Sequence, residues 1–296
     1  MSRVAVIGPG SVGCFFAAHL AHTDHDVVSC ARRGFDVYVV ESELAPITAP
    51  ARVVTDPGEL TDGPSDWVLV GVKAHQSADA ASWFDATCGP DTVVVAMQNG
   101  IEAIERLTPL VHGARIVPAV VYCGSELITP GHIRHTSAGR LIVPDDADGH
   151  ALAALYEGTA VVIDPSARHL TSAWVKLSIN VVVNGLTALT RRPMDVLAAP
   201  ELAPVATALL AETWAVGVAE GADLDTDDPT GFVARLASAP GSGKTSMLMD
   251  TLAGRPTEHD AIHGAVARAA RRHDIATPVL DTVLGLLATR EPTEPA

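Results

Sequence analysis

A lysine and two asparagines at four-residue spacing, Lys176, Asn180 and Asn184, interrupt the otherwise apolar run AWVKLSINVVVNGLTAL from Ala173 to Leu189. At about 100° per residue, successive members drift by only about 40°, so on a helix they form one polar stripe roughly 12 Å long. An ammonium donates hydrogen bonds, and each amide both donates and accepts them. A helix that is apolar on its other faces is normally buried, and burying such groups without partners is costly. Something must therefore face the stripe, unless the asparagines bond neighbouring backbone and the lysine reaches solvent along its aliphatic stem.

The elements that would position a ligand there begin at the N-terminus. A short β-rich run, Val4 to Ile7, leads at once into Gly8-Pro9-Gly10-Ser11-Val12-Gly13 and an apolar segment, Val12 to Leu20, with helical spacing. This is GxGxxG between a strand and a helix, the context of a dinucleotide-binding turn. Gly8 permits the tight turn, Gly10 lets the backbone approach a pyrophosphate, and Gly13 lets the helix pack on the strand with its N-terminus aimed at the phosphates. Gly8, Pro9, Gly10, Ser11, Val12 and Gly13 are the expected cofactor-binding residues. The second strand, Val27 to Ala31, ends in Arg32-Arg33, where an NAD-selective site places a carboxylate for the ribose 2'-hydroxyl. A guanidinium there pairs with a 2'-phosphate, so the expected cofactor is NADP(H) with Arg32 in its site, the alternative being two solvated surface arginines.

Two further strands, Trp67 to Val72 and Thr92 to Met97, run into Lys73-Ala74-His75-Gln76 and Gln98-Asn99-Gly100. Loops at the carboxyl ends of such strands line the ligand crevice, which places Lys73 and Asn99 beside the cofactor, although either would also serve to start a helix. Strands expected around Ala114 to Tyr122, Gly131 to His135, Arg140 to Ile142 and Ala160 to Ile163 read as antiparallel additions to the same sheet. Asp164-Pro165 marks the boundary. Helical patterns then dominate, over roughly 166–190, 201–220, 229–238, 257–273 and 278–290, with Pro200, Pro229, Pro256 and Pro278 near the expected helix starts and Thr257/Asp260 spaced like a capping box. The reading is an α/β chain. A Rossmann-type doubly wound sheet over 1–165 binds NADP, and an all-helical substrate and catalytic domain follows over 166–296, with the active site expected in the cleft between them.

Composition excludes some tasks. The 296 residues carry 35 acidic against 20 basic side chains, a net charge of -15, which disfavours nucleic acid or an anionic membrane as partner. Cys14, Cys30, Cys88 and Cys123 lack CxxC spacing and read as free thiols of a cytoplasmic protein, with neither a signal peptide nor a membrane span visible. The stretch Gly241-Ser242-Gly243-Lys244-Thr245 resembles a P-loop but has Ser238 where the pattern requires glycine and no strand before it. His259 and His263 stand four apart without a third ligand, so no metal is expected. The last residues, EPTEPA, read as a tail.

Taken together, GPGSVG, the arginine after the second strand, the VKAHQ and MQNGI loops, WVKLSINVVVNGLTAL, and SMLMD followed by TEHDAIHG resemble the ketopantoate reductases (2-dehydropantoate 2-reductases) over nearly the whole chain. The resemblance implies NADPH-dependent reduction of 2-dehydropantoate to pantoate, in pantothenate and coenzyme A synthesis. It gives Lys176 the role of general acid and makes Glu258 the residue that orients substrate and lysine. It further implies that Asn180 and Asn184 bind substrate hydroxyls, that Ser246 binds its carboxylate, and that Asn99 and Lys73 complete the site from the cofactor side. Where the family commonly has asparagine before glycine, this chain has His263-Gly264, which leaves a reductase of another small 2-oxo acid open. A third reading is an NADP(H)-sensing protein without chemistry. The partner expected is a small 2-oxo acid, and a homodimer is compatible with the sequence.

Overall fold

The computed structural model describes residues 1–43, 46–238 and 243–290. The chain divides into two compact units, 1–98 with 102–169, and 99–101 with 170–296.

In the first unit, strand β1 (Arg3–Ile7) is followed by helix α1 (Ser11–Ala21), β2 (Asp26–Cys30), β3 (Val37–Glu41), β4 (Ile47–Pro50), β5 (Arg52–Val54) and β6 (Trp67–Val70). Then come α2 (Ala81–Thr87), β7 (Val93–Ala96), α3 (Ala103–Leu107), β8 (Arg115–Pro118), β9 (Val120–Thr129), β10 (His132–Pro144), α4 (Ala147–Leu155) and β11 (Val162–Ser166). Six strands form a parallel sheet in the order β5-β2-β1-β6-β7-β8. The order reverses between β1 and β6, so the turns leaving those strands flank the switch point where such sheets bind ligands. Its central strands are apolar without interruption because both faces are covered. Val4 and Val6 face one core with Phe15, Phe16 and Leu20, while Ala5 and Ile7 face another with Val68, Phe84 and Val94.

The strands after β7 correct the sequence reading. Only Arg115–Pro118 joins the parallel sheet; β9, β10 and β11 build a second sheet in the order β11-β10-β3-β4, with β9 paired to β10. Pro118 ends the edge strand of the first sheet, and the chain changes sheets within the next two residues. Strands β3 and β4, unrecognised in the sequence, complete this second layer; their half-exposed pattern is weaker than the runs of the first sheet. Helix α1 is buried almost all round because it packs into the core that the two layers share.

Among its described residues the second unit is helical: α5 (His169–Thr190), α6 (Ala203–Ala219), α7 (Pro229–Ser238), α8 (Ser246–Leu252), α9 (Ala265–Arg272) and α10 (Pro278–Ala288). A π-helical turn, Asp260–Gly264, leads into α9. The carboxylate of Asp260 accepts from Arg268 at 2.7 Å. The carboxylate of Glu212 accepts the first free amides of α10, from Val279 and Leu280 at 3.0 and 2.8 Å, a charge that suits a helix N-terminus. By length and composition α5 could cross a membrane, yet Trp174, Leu177, Val181, Val182 and Leu186 are buried in the core of this unit. Gly241 and Ser242 of the P-loop-like stretch and the tail 291–296 lie outside the described residues.

Candidate active site

The glycine turn has the shape its spacing requires. Gly8 adopts φ +81°, and a side chain there would overlap Val72. A Cβ on Gly13 would sit 2.5 Å from the Gly8 carbonyl, so only glycine lets α1 lie this close to β1. Around Gly10, by contrast, nothing lies within 4 Å of a built Cβ, and this side of the turn is open to a ligand. Helix α1 begins without a side-chain cap and without an acidic residue in its first turn. Its free amides and dipole thus suit an anion, and the turn fits a dinucleotide pyrophosphate. Arg32 and Arg33 follow β2, exposed and without an ion pair to any described residue.

Two residues that pattern reading passed over hold this turn. Gly71 follows β6 with its built Cβ 2.6 Å from the Gly8 carbonyl and 3.1 Å from Gly13 Cα, so strand end, turn and helix meet backbone to backbone. Gln98, buried after β7, donates from its amide to the Val72 carbonyl (3.0 Å) and to Ser77 Oγ (2.9 Å) and accepts from Arg106 (3.3 Å). That amide ties the loop carrying Lys73 to the end of β7. The glycine directly after an apolar strand was a usable signal for Gly71; for Gln98 no local pattern exists.

In the helical unit, Lys176, Asn99 and Glu258 form one line. Lys176 Nζ donates to Asn99 Oδ1 at 3.5 Å, and Asn99 Nδ2 donates to Glu258 Oε2 at 3.0 Å. Only one orientation of the amide serves both neighbours, since the ammonium cannot accept and the carboxylate cannot donate. Glu258 is 7% exposed, and a carboxylate so deeply placed needs the charge and donors this line provides. Asn99 reaches it because Gly100, at φ +94°, lies against the Ala261 carbonyl of the π-turn with no room for a side chain. Gly100→Ala is therefore expected to displace Asn99 and lower turnover at least tenfold, since left-handed strain and the clash together exceed about 1.4 kcal/mol. Steady-state kinetics checks this, and wild-type kcat in the folded variant would contradict it.

The stripe itself distinguishes two kinds of polar side chain. Ser178, Thr187 and Thr190 turn back on the carbonyls of Trp174, Val183 and Leu186 in their own helix. The amides of Asn180 and Asn184 make no hydrogen bond to any described residue, although Asn184 is only 5% exposed. They do not satisfy themselves on neighbouring backbone. Ser246, exposed at the start of α8, follows Thr245, whose hydroxyl caps that helix and lies 2.8 Å from Thr187 Oγ1 on α5. His263 is off the stripe: it is fully buried, its Nε2 bonded to the Val181 carbonyl at 2.9 Å, and burial pushes its imidazole down to about 4. His259 bonds Thr257 through Nδ1. Lys73 and the glycine turn belong to the sheet unit; Asn99, Lys176, Asn180, Asn184, Ser246 and Glu258 belong to the helical one.

A dinucleotide-binding sheet joined in sequence to a helical unit carrying a lysine–amide–carboxylate line defines an oxidoreductase. Residues 4–147 match the model of the ketopantoate reductase PanE/ApbA family, and residues 168–291 match that family's C-terminal model. The chain belongs to the ketopantoate reductase family. It is 37% identical to a 2-dehydropantoate 2-reductase of Caulobacter vibrioides, covering 97% of this chain and 98% of that one. A Mycobacterium tuberculosis 2-dehydropantoate 2-reductase is 35% identical, with 96% of each covered. Among solved structures, a PanE/ApbA family ketopantoate reductase from Ralstonia eutropha superposes with a TM-score of 0.88 at 28% identity, over 98% of both chains.

Proposed function

We propose that this protein catalyses the NADPH-dependent reduction of 2-dehydropantoate to pantoate. The observation that carries the reading is the line from Lys176 through Asn99 to Glu258, together with the amides of Asn180 and Asn184, one and two turns beyond Lys176 on the same helix, which bond no described residue. Bound NADPH supplies a hydride to C2 of the oxo acid. The Lys176 ammonium faces the negative charge that develops on the carbonyl oxygen and gives it the proton that makes it a hydroxyl, which leaves a neutral amine. Asn99 holds the ammonium in place and is itself held by Glu258. Asn180 and Asn184 receive the substrate's hydroxyl, and Ser246 its carboxylate. Gly8 to Gly13 seat the pyrophosphate, Lys73 lies on the cofactor side, and Arg32 pairs with the 2'-phosphate.

The reaction belongs, in this reading, to pantothenate and coenzyme A biosynthesis in the cytoplasm. Burial pushes the Cys14 and Cys30 thiols up to about 12 and Cys88 to about 11, which suits unreactive free thiols in a reducing compartment.

Steady-state NADPH oxidation with 2-dehydropantoate and a panel of other 2-oxo acids tests the assignment. The highest kcat/KM is expected with 2-dehydropantoate. A higher value with another acid would reassign the substrate, and no turnover with any would leave an NADP(H) sensor. The wild type is expected to prefer NADPH over NADH, and Arg32→Glu to lose roughly 10- to 100-fold in NADPH affinity, the worth of one charge-assisted contact. Equal affinity of wild type and variant for NADPH would remove Arg32 from the site.

A further inference from the structure

We infer that His263 is a positioning residue for the substrate-facing stripe, acting through the backbone of α5. This rests on the reading of Asn180 and Asn184 as substrate contacts. The imidazole grips α5 at two points. Nε2 donates to the Val181 carbonyl at 2.9 Å, and a Cβ built on Gly185 would stand 2.6 Å from Nε2 and 3.2 Å from Cε1, so the ring occupies the space glycine leaves. Val181 and Gly185 directly follow Asn180 and Asn184 in sequence. A helix moves as a rigid body over one turn, so whatever fixes 181 and 185 in rotation and height fixes the two amides as well.

The other end of the grip is equally placed. His263 lies in the π-turn Asp260–Gly264, which begins two residues after Glu258, and the Ile262 amide bonds the Glu258 carbonyl at 3.0 Å. One side chain thus sets the separation between the helix bearing Asn180 and Asn184 and the segment bearing Glu258. The bond defines the ring's state. A carbonyl only accepts, so Nε2 carries the hydrogen and the buried Nδ1 is left bare, without a partner among the described residues. A leucine of similar bulk would fill the space but could not bond Val181, whereas glutamine places an amide N–H near the same point.

The test compares His263→Leu, His263→Asn and His263→Gln with the wild type. It measures KM for 2-dehydropantoate, kcat, NADPH dissociation by fluorescence, and melting temperature. Leucine, and asparagine, which is too short to reach Val181, are expected to raise KM roughly three- to tenfold, the worth of one hydrogen bond, with NADPH affinity unchanged. Glutamine should return KM to within about twofold of wild type on the same grounds. A lowered melting temperature with KM unmoved, or a raised KM that glutamine does not rescue, would overturn the inference. Asn184→Ala is run beside them. If it leaves KM unmoved, the substrate reading of the stripe fails; if it raises KM while His263→Leu and His263→Asn do not, the positioning role fails alone.

Discussion

Lys176→Ala is expected to lower kcat by about 10²- to 10⁴-fold, the range a positioned general acid contributes, while NADPH binds as in the wild type. The residue projects from α5 with its ammonium on the Asn99 carbonyl oxygen, and that amide is anchored by the buried Glu258. Removing the side chain takes away proton and charge together, so a second variant separates them. Lys176→Arg keeps a cation, but a guanidinium holds its protons too tightly to serve as an acid near neutral pH. It should therefore stay within about tenfold of the alanine variant if proton donation dominates. Recovery to near wild-type kcat would assign Lys176 to charge stabilisation alone, and full activity of Lys176→Ala would remove it from the reaction. Single-turnover NADPH oxidation gives the chemical step, and fluorescence titration gives cofactor affinity.

The protein is also expected to lose stability steeply as pH falls from about 6.5 towards 4. His263 is one cause. Burial lowers its imidazole from 6.5 in the unfolded chain to about 4 in the folded one. Between those values the unfolded state binds a proton that the folded state refuses, so stability rises with pH across the window. It is fully present above the upper value and lost as acid is added. The slope is about 1.4 kcal/mol per pH unit for one histidine, or roughly 3 kcal/mol over the window. His19, buried against Phe15 and lowered to about 4 by burial and by neighbouring His135, acts in the same direction in the sheet unit. Urea unfolding at a series of pH values measures this. His263→Gln should flatten the dependence, and a wild-type midpoint that is level from pH 7 to about 4.5 would refute it.

Part of this molecule was legible along the chain because the physics involved is local. A glycine turn needs particular residues at particular steps, and GPGSVG between an apolar strand and an apolar helix shows the turn whatever surrounds it. The stripe of Lys176, Asn180 and Asn184 follows from helical periodicity, since residues four apart share a face in any helix. Proline at the starts of α7 and α10 and the helical character of the second unit were local too.

Other features had no local signal. Strands 115–118 and 120–129 are separated by one residue, and which sheet each joins depends on pairing partners far along the chain. Gln98 and Asn99 are adjacent amides of similar chemistry, yet one ties together the loops of the sheet unit and the other bridges an ammonium and a carboxylate in the helical unit. His263, which stands where the resembled family commonly has asparagine, is a core residue bonded to a helix carbonyl. The sequence by itself determined the cofactor turn, the polar stripe and the order of sheet and helices, because backbone geometry and side-chain period act over a few residues. Tertiary structure alone decided what faces Lys176, how Asn99 is turned and where His263 sits. Those depend on hydrogen bonds between residues about 80 to 160 positions apart, whose partners only packing can choose.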